Sequence, residues 1–344
     1  MSQYKNDIER LKARFQAVMA RICPSFPKGR FLCAFSGGPD SMALLSLLAE
    51  NLPKENLLVA HLDHALREES AKEALWAGQV AKKMGLAFKT ARREVKLLAQ
   101  ERGKGLEEAA RKARYEFLEG ELSLWGGDYI VTAHQADDQA ETIILRLSRG
   151  VGPGGLAGIP EVNGRIIRPL LGLTRSEILT YLSGSELTWL EDPSNSDPRF
   201  DRNWVRLNIL PAMETLNPAV KTALGRAASL AAAEEEFWQS WLDRLEGSLV
   251  ANLSDGRFSL EAAGLMALTL AERRRLVGRL LRRIKIPSPG GGEPVSFQSV
   301  EMFLDYVGRE QEGGVDLPGG RRVQRQGRFL HIGLASRYLS AYSG

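Results

Sequence analysis

Apolar and polar positions alternate along the first part of the chain in a way that separates strands from helices. Short apolar runs typical of buried strands occur at 30–35, 57–62, 86–91 and 128–133. Segments with helical spacing lie between them at about 40–50, 68–84, 105–122 and 137–149, and another covers 5–21. Strands that alternate with helices indicate βαβ units and a parallel sheet. The pattern predicts an α/β fold whose ligands bind at the carboxyl ends of the strands.

A different pattern follows in the second half of the chain. After a glycine-rich loop and a stretch rich in proline and asparagine at 189–203, helical spacing returns. We place a domain boundary after Leu216, so that residues 1–216 form the parallel-sheet domain. Residues 217–344 are predicted to form a smaller, mostly helical domain, with a flexible connection at 288–294 and a short β-hairpin at 315–333.

The composition is that of an ordinary globular protein. The 344 residues fit one large and one smaller domain, with 44% apolar and 26% charged side chains. The longest apolar run, 262–271, is too short to cross a bilayer, and the first residues lack a signal-peptide core. We therefore expect a cytoplasmic protein without a membrane partner. Only Cys23 and Cys33 occur, which excludes a disulfide framework and a multi-cysteine zinc site.

Basic residues are clustered in the second domain. The net charge is +4, and residues 273–285 carry seven Lys or Arg side chains and no acid. A second cluster contains Arg321, Arg322, Arg325 and Arg328. Such clusters suit a polyanionic partner, although a solvated helix face explains the first cluster equally well.

The sequence SGGPDS, Ser36–Ser41, stands between the first predicted strand and a helix. Its glycines allow the backbone to approach a ligand closely, and its N–H groups lie at a helix N-terminus. The loop is neither GxxxxGK[ST] nor GxGxxG. We favour phosphate binding over the alternative of a serine-rich turn capped by Asp40.

Two further motifs follow the second and fourth strands. HLDHALR contains His61, Asp63 and His64; nucleotide contact is favoured over simple capping of the next helix, and zinc-ligand spacing is absent. TAHQADDQAET contains His134 and three acids, Asp137, Asp138 and Glu141. Acids are common in a first helical turn, but three of them could also bind a cationic substrate or accept its proton.

Arginines mark the remaining motifs. LEEAARKARYEFL places Arg111 and Arg114 on one helix side, although Glu107–Arg111 could equally form a surface ion pair. GVGPGGLAGIP at 150–160 and RPLLGLTRSEI at 168–178 come next. EDPSNSDPRFDRNWVR at 191–206 then contributes Arg199, Arg202 and Arg206.

These motifs carry a resemblance to known families. SGGPDS resembles the PP-loop of N-type ATP pyrophosphatases, which cleave ATP between the α- and β-phosphates. In this order, the motifs closely resemble those of the bacterial tRNA(Ile)-lysidine synthetase family. The likeness is nearly continuous from about residue 30 to 211 and looser beyond, mainly in VDLPGGRRVQRQGRFLHI. A last C-terminal domain of longer members is expected to have no counterpart here.

The resemblance implies a two-step reaction on the wobble cytidine of an isoleucine tRNA with a CAU anticodon. ATP adenylates the cytosine C2 oxygen and releases pyrophosphate; the ε-amine of free lysine then attacks C2 and expels AMP. ATP is thus a substrate, Mg²⁺ is expected on Asp40, and lysine and tRNA are the other partners.

The resemblance also assigns expected roles to individual residues. The catalytic set comprises Asp40, Arg114, Asp138, Glu141 and Arg206. ATP-binding residues are Ser36, Gly37, Gly38, Pro39, Asp40, Ser41, His61, Asp63 and His134. Lysine would contact Asp138, Glu141 and Arg202, with Asp137 a weaker choice, and tRNA would contact Arg274, Arg279, Arg282, Arg283, Arg321 and Arg322.

Three other functions compete with this one. A PP-loop tRNA thiolase would need catalytic cysteines, and no CxxC motif exists. An amide-forming synthetase that uses ammonia leaves the basic clusters unexplained. A catalytically silent nucleotide- or tRNA-binding module disagrees with the intact acidic residues. The sequence leaves a homodimer open.

Overall fold

The computed structural model describes residues 2–67, 69–103, 105–185, 187–191, 201–253, 256–286 and 294–335. It divides into two compact units, Met1–Glu234 and Glu235–Gly344. The division lies inside a helix, beyond the boundary that the sequence places after Leu216. Arg199 and most of the expected flexible connection at 288–294 lie outside the described residues.

The first unit is built on a six-stranded sheet of order β3-β2-β1-β4-β6-β5. All neighbouring pairs are parallel except β5 with β6. The four strands predicted from the apolar runs are all present. The strands are β1 Phe31–Ala34, β2 Leu57–Asp63, β3 Ala87–Arg92, β4 Tyr129–Val131, β5 Val162–Asn163 and β6 Ile166–Ile167.

Helices cover both faces of this sheet, as a parallel sheet requires. Successive residues of β1 alternate between two cores: Phe31 and Cys33 pack on one side, and Leu32 on the other. Helices α1, α2, α3 and α7 contribute to the first core, and α4 and α5 to the second. The helices are α1 Ser2–Ile22, α2 Pro39–Asn51, α3 Ser70–Met84, α4 Val95–Arg102, α5 Leu106–Trp125, α6 Ala136–Ser148, α7 Arg175–Ser183, α8 Asp201–Trp204 and α9 Leu210–Leu216.

The second unit combines helices with an antiparallel sheet of order β7-β8-β11-β10-β9. The hairpin predicted at 315–333 corresponds to the pairing of β10 with β11, but the sheet is larger than a hairpin. Two of its strands, β7 and β8, fall in the stretch predicted to be mostly helical. Strand β7 pairs with the adjacent β8, and β8 pairs with β11, which is distant in sequence. The elements are α10 Val220–Leu249, β7 Val250–Asn252, β8 Phe258–Glu261, α11 Ala262–Met266, α12 Leu270–Arg283, α13 Phe297–Gly308, β9 Gly313–Leu317, β10 Arg321–Gln326 and β11 Phe329–Leu334.

None of the helices in the described ranges combines the length and hydropathy needed to cross a membrane.

Candidate active site

The loop after β1 is shaped by its own hydrogen bonds. Gly37 has φ +91°, a conformation that side chains disfavour, and an added Cβ would lie 3.0 Å from Leu190. The Ser41 hydroxyl oxygen accepts the Gly37 N–H at 3.1 Å and donates to the Gly38 carbonyl at 2.9 Å. Both serine hydroxyls are thus engaged within the loop, since the exposed Ser36 hydroxyl donates to Ser41 at 3.1 Å. Pro39 occupies the first turn of α2, where its missing N–H costs no hydrogen bond.

Asp40 is the acid of this loop, and one of its oxygens is unsatisfied. Its Oδ2 lies 3.2 Å from Nη1 of Arg175, whereas Oδ1 is buried without a hydrogen-bond partner. Burial raises the pKa of Asp40 to about 6; Arg175 opposes this rise, and Asp138 adds to it. A buried, unpartnered carboxylate oxygen is a ligand type that Mg²⁺ prefers.

Of the residues at the end of β2, His61 and Asp63 form hydrogen bonds within the fold, whereas Nδ1 of His64 is buried without a partner among the described residues. The His61 Nδ1 is 2.9 Å from the Phe35 carbonyl oxygen, and burial lowers its pKa. Oδ1 of the buried Asp63 accepts the Ala65 N–H at 2.8 Å. Burial followed by the nearby Arg114 lowers the pKa of His64 to about 4. The expected ATP contacts of His61 and Asp63 remain predictions.

The first turn of α6 presents the three acids of TAHQADDQAET. A capping box fixes its start, because the Gln135 N–H donates to Asp138 and the Gln135 side chain accepts the Asp137 N–H. Asp138 and Glu141 then lie on one face, one turn apart, as their spacing predicts.

Two arginines from the helical segment 201–209 bind this acidic face. Nε of Arg202 lies 2.7 Å from Oε2 of Glu141, and Nε of Arg206 lies 2.7 Å from Oε1. Nη2 of Arg202 is also 3.1 Å from Oδ1 of Asp138. Arg202 lies in α8, and Arg206 lies in the π-helical turn Val205–Ile209 that follows it. Glu141 is fully buried between the two guanidinium groups.

Asp137 faces a different partner. Its Oδ2 lies 2.6 Å from Nζ of Lys221, which also lies 3.0 Å from Glu214. Its Oδ1 accepts the backbone N–H of Arg175 at 3.2 Å. Sequence reasoning assigned no role to Arg175 or Lys221. Arg175 belongs to RPLLGLTRSEI, a motif noted without naming its arginine, whereas no sequence signal marks Lys221.

A group of cations surrounds His134. Burial, followed by Arg168, Arg114, Arg202 and Arg111, lowers the pKa of His134 to about 3, so the ring is neutral at pH 7. Arg114 has no carboxylate within ion-pair distance among the described residues, and burial lowers its pKa. Glu107 and Arg111, for which the sequence left a surface ion pair open, form no such pair in the described part of the structure. A half-buried, uncompensated guanidinium suits an anion such as phosphate.

The glycine-rich loop is attached to α6. Nη1 of Arg146 donates to the carbonyls of Gly155 and Gly158 at 2.8 and 2.9 Å, and the Gln139 side chain accepts the Ile159 N–H. A cavity of about 420 Å³ opens beside this attachment, lined by Glu107, Thr142, Leu145, Arg146, Arg149, Asp201 and Arg202.

The arginines expected to bind tRNA are mostly paired inside the second unit. Arg274 forms two bonds with Glu301, at 2.8 and 2.9 Å. Arg279 pairs with Asp243 and Glu246, Arg283 with Glu246, and Arg322 with Asp316. Arg321 is buried and donates to the Leu281 carbonyl at 2.7 Å, which conflicts with the predicted surface contact. Only Arg282 of the six is exposed without an ion-paired carboxylate in the described residues.

Fold and loop together define an ATP-binding domain of the PP-loop class. The family model of the PP-loop domain matches residues 9–213. The solved structure of the U34-tRNA thiolase NcsA from Methanococcus maripaludis shares the fold, with a TM-score of 0.55 and 16% identity over 67% of this chain and 80% of that one.

Comparison with curated proteins narrows the class. The tRNA(Ile)-lysidine synthase of Thermus thermophilus is 39% identical over 92% of this chain and 59% of its own length. The tRNA(Ile)-lysidine synthase of Solibacter usitatus is 37% identical over 89% of this chain and 67% of its own length. The chain belongs to the tRNA(Ile)-lysidine synthase family, and it spans 59% and 67% of the lengths of these two relatives.

Proposed function

We propose that this chain catalyses the ATP-dependent ligation of free lysine to C2 of the wobble cytidine of isoleucine tRNA with a CAU anticodon. The observation that carries the proposal is the convergence of the phosphate-binding loop, Asp40, and the Asp138–Glu141–Arg206 group. The tRNA(Ile)-lysidine synthase relatives support the choice of substrate. We place the reaction in the cytoplasm, where ATP, lysine and tRNA occur together.

In the first step, the cytosine C2 oxygen attacks the α-phosphorus of ATP and pyrophosphate leaves. The N-terminus of α2 suits the β- and γ-phosphates. The N–H groups of Gly37 and Gly38, which donate to the Ser41 and Ser36 hydroxyls in the free protein, would exchange these bonds for phosphate oxygens. Arg114 and Arg206 would neutralise charge that develops at the α-phosphate. Arg114 lacks a competing carboxylate among the described residues, which supports this role.

The residues around Asp40 fit Mg²⁺. Mg²⁺ commonly takes one or two protein carboxylates and completes its shell with phosphates and water. The buried, unpartnered Oδ1 of Asp40 supplies such a ligand. Within the described residues, no group of three His, Cys, Asp or Glu side chains is arranged to hold a metal. When bound, Mg²⁺ would supply charge neutralisation on the leaving phosphates.

In the second step, the lysine ε-ammonium must lose a proton before its nitrogen attacks C2 and AMP leaves. Asp138 is the better candidate to bind the ammonium and take the proton, since it is 18% exposed and burial raises its pKa. Glu141 is enclosed by two guanidinium groups, which leaves little room for a third cation. We therefore assign Glu141 to the placing of Arg202 and Arg206. Arg202 would contact the lysine carboxylate or the AMP phosphate, beside the cavity that it lines.

The cysteines argue against sulfur transfer. Both Cys23 and Cys33 are free and buried in the core, and burial raises the pKa of the Cys33 thiol. A buried neutral thiol is a poor nucleophile.

The test combines the chain with ATP, Mg²⁺, lysine and the unmodified tRNA. We expect pyrophosphate release that requires the tRNA, AMP release that requires lysine, and a tRNA mass increased by one lysyl group. The same tRNA with uridine at the wobble position is the matched control, because it lacks the cytosine amino group. Absence of pyrophosphate and of the mass increase with the cytidine tRNA would refute the proposal.

A further inference from the structure

The first unit also contains a strongly basic stretch, besides the segment 273–285 of the second. Residues 82–115 contain eleven Lys or Arg and four Asp or Glu side chains, a net charge of +7 against +4 for the whole chain. The structure places several of these cations on one side of the sheet. We call Lys89 of β3, Arg93, Lys96 of α4, and Arg111 and Lys112 of α5 the α4–α5 basic surface; all five are exposed.

These cations are largely uncompensated. Among the described residues, no carboxylate lies within ion-pair distance of Lys89, Arg93, Lys96 or Arg111. Lys112 has only the long 3.8 Å contact with Glu116. The arginines of α12, in contrast, are mostly paired with acids. Like charges held together without partners repel one another, so their presence favours a polyanionic ligand.

The surface begins at the candidate active site. The Arg93 N–H donates to the Asp63 carbonyl at 2.8 Å, and the Val95 N–H at the start of α4 donates to the His64 carbonyl. Both acceptors belong to the motif at the carboxyl end of β2. At the other end, Arg111 lies close enough to Arg114 and His134 to lower the pKa of each. An anionic polymer on this surface would thus lead directly to the catalytic residues.

We propose that the α4–α5 basic surface binds the phosphate backbone of RNA on either side of the base that enters the active site. The inference deepens the proposed function and rests on it for the identity of the RNA. A base that reacts must leave its stack, and phosphate contacts near the site hold the strand in register while it does so.

The test replaces three cations that lie outside the catalytic machinery: Lys89→Gln, Arg93→Gln and Lys96→Gln together. The probe is the fluorescently labelled isoleucine tRNA transcript with a CAU anticodon, and its affinity is measured over a series of salt concentrations. Each lost phosphate contact should reduce the slope of log K against log[salt] by about 0.7–0.9. We expect the triple variant to bind roughly tenfold more weakly near physiological salt, with a slope smaller by about 2.

The matched control is Lys54→Gln, Lys82→Gln and Lys83→Gln. These lysines are exposed and have no ion pair in the described residues, and α3, which carries two of them, packs on the opposite face of the sheet. The control removes the same charge and should keep the wild-type affinity and slope. ATP binding without RNA should be unchanged in both triples, which checks that the site remains folded.

Two results would overturn the proposal: an unchanged slope in the test triple, or an equal loss in both triples, which would reflect net charge alone. The measurement needs no ligation. If the tRNA never gains a lysyl group but the test triple alone loses affinity, then the proposed function fails and the RNA-binding surface stands.

Discussion

Asp40 is a carboxylate that the free protein satisfies only in part. The loop places it in the first turn of α2, where the helix dipole favours a negative charge. Burial and the neighbouring acids nevertheless raise its pKa to about 6, and Arg175 compensates only one oxygen. Such a residue costs stability in the free protein, in agreement with the proposed role of Asp40 as a ligand of Mg²⁺.

Because burial raises the pKa of Asp40, we expect the difference in stability between the wild type and an Asp40 variant to depend on pH. An unfolded Asp titrates near pH 4, so between about pH 4 and pH 6 the native protein holds a proton that the unfolded chain has lost. The wild type therefore loses stability as pH rises through this window. Asp40→Asn removes the titration, and we expect it to raise the free energy of unfolding by about 1–3 kcal/mol near pH 8 and to change it little near pH 3.5.

Urea unfolding across this pH range measures the effect. A variant less stable than wild type at every pH would show that Arg175 fully compensates the charge.

A second substitution at Asp40 tests whether this residue acts in pyrophosphate release, in tRNA binding or in both. We expect Asp40→Ala to abolish pyrophosphate release while leaving tRNA affinity nearly intact, because Asp40 lies in the loop proposed to hold the ATP phosphates. Pyrophosphate release and tRNA binding should be measured on one preparation. Equal loss of both would mean that Asp40 maintains the fold.

Glu141 is a second residue whose role depends on burial. We expect Glu141→Ala to lower the free energy of unfolding by about 3–5 kcal/mol, since it leaves two half-buried guanidinium groups without their carboxylate. Arg149→Gln is the control: it breaks the exposed Arg149–Asp201 pair and should cost less than about 1 kcal/mol. Similar losses in the two variants, measured by thermal or urea unfolding, would contradict the assigned anchoring role.

Among the elements, α10 is linked to helix α6 by an ion pair of Lys221, beside the apolar cluster to which Leu224 and Ala140 belong. Lys221, in the first turn of α10, is held by Asp137 of α6 and by Glu214 of α9. Burial lowers the pKa of Lys221, but its bonds to Asp137 and Glu214 more than offset this, so its ammonium stays charged. The contact joins three helices around an acid whose other oxygen accepts the Arg175 N–H.

We expect Lys221→Met to destabilise the first unit by about 1–3 kcal/mol, because it leaves a buried carboxylate short of a donor. Lys221→Arg keeps the positive charge and should destabilise the first unit less than Lys221→Met does. Hydrogen exchange would show faster exchange in α9 and the first turns of α10 in the Met variant only. Unchanged exchange and stability would mean that the ion pair contributes nothing measurable.

Local sequence patterns predicted the main elements of the first unit well. The strands at 57–62 and 86–91 and the helices at 5–21 and 105–122 are confirmed within a few residues, because each has an apolar face of the correct period. The sequence pattern does not predict β7 and β8, because these strands have only three and four residues and β8 is held in the sheet by the remote β11. The π-helical turn at Val205–Ile209 also has no sequence period that marks it.

Across the whole molecule, the distribution of charge differs from the simple division into a neutral catalytic part and a basic tail. Within the described residues, most arginines of α12 are paired with acids, whereas the cations of the α4–α5 basic surface are largely unpaired. Total charge by segment does not show this difference, because it ignores exposure and pairing.

Replacing Arg279, Arg282 and Arg283 with Gln tests the basic segment of the second unit. We expect the slope of log K against log[salt] for tRNA binding to fall by at most about 0.7–0.9, the value for one lost phosphate contact. The reason is that, of these three arginines, only Arg282 lacks an ion-paired carboxylate in the described residues. A decrease in slope equivalent to three phosphate contacts would show that Arg279 and Arg283 break their ion pairs and bind the RNA.

The sequence by itself determined the α/β class, the phosphate-binding loop and the family, because motif identity and hydrophobic period are local properties of the chain. It also named Asp138, Glu141, Arg202 and Arg206, which lie together in the structure, but not Arg175, which contacts Asp40. Tertiary structure decided what each charge contacts: that Glu141 is enclosed by Arg202 and Arg206, that Lys221 binds Asp137, and that Arg321 is buried. Ion pairing and burial depend on distances between segments far apart in sequence, so no local pattern could reveal them.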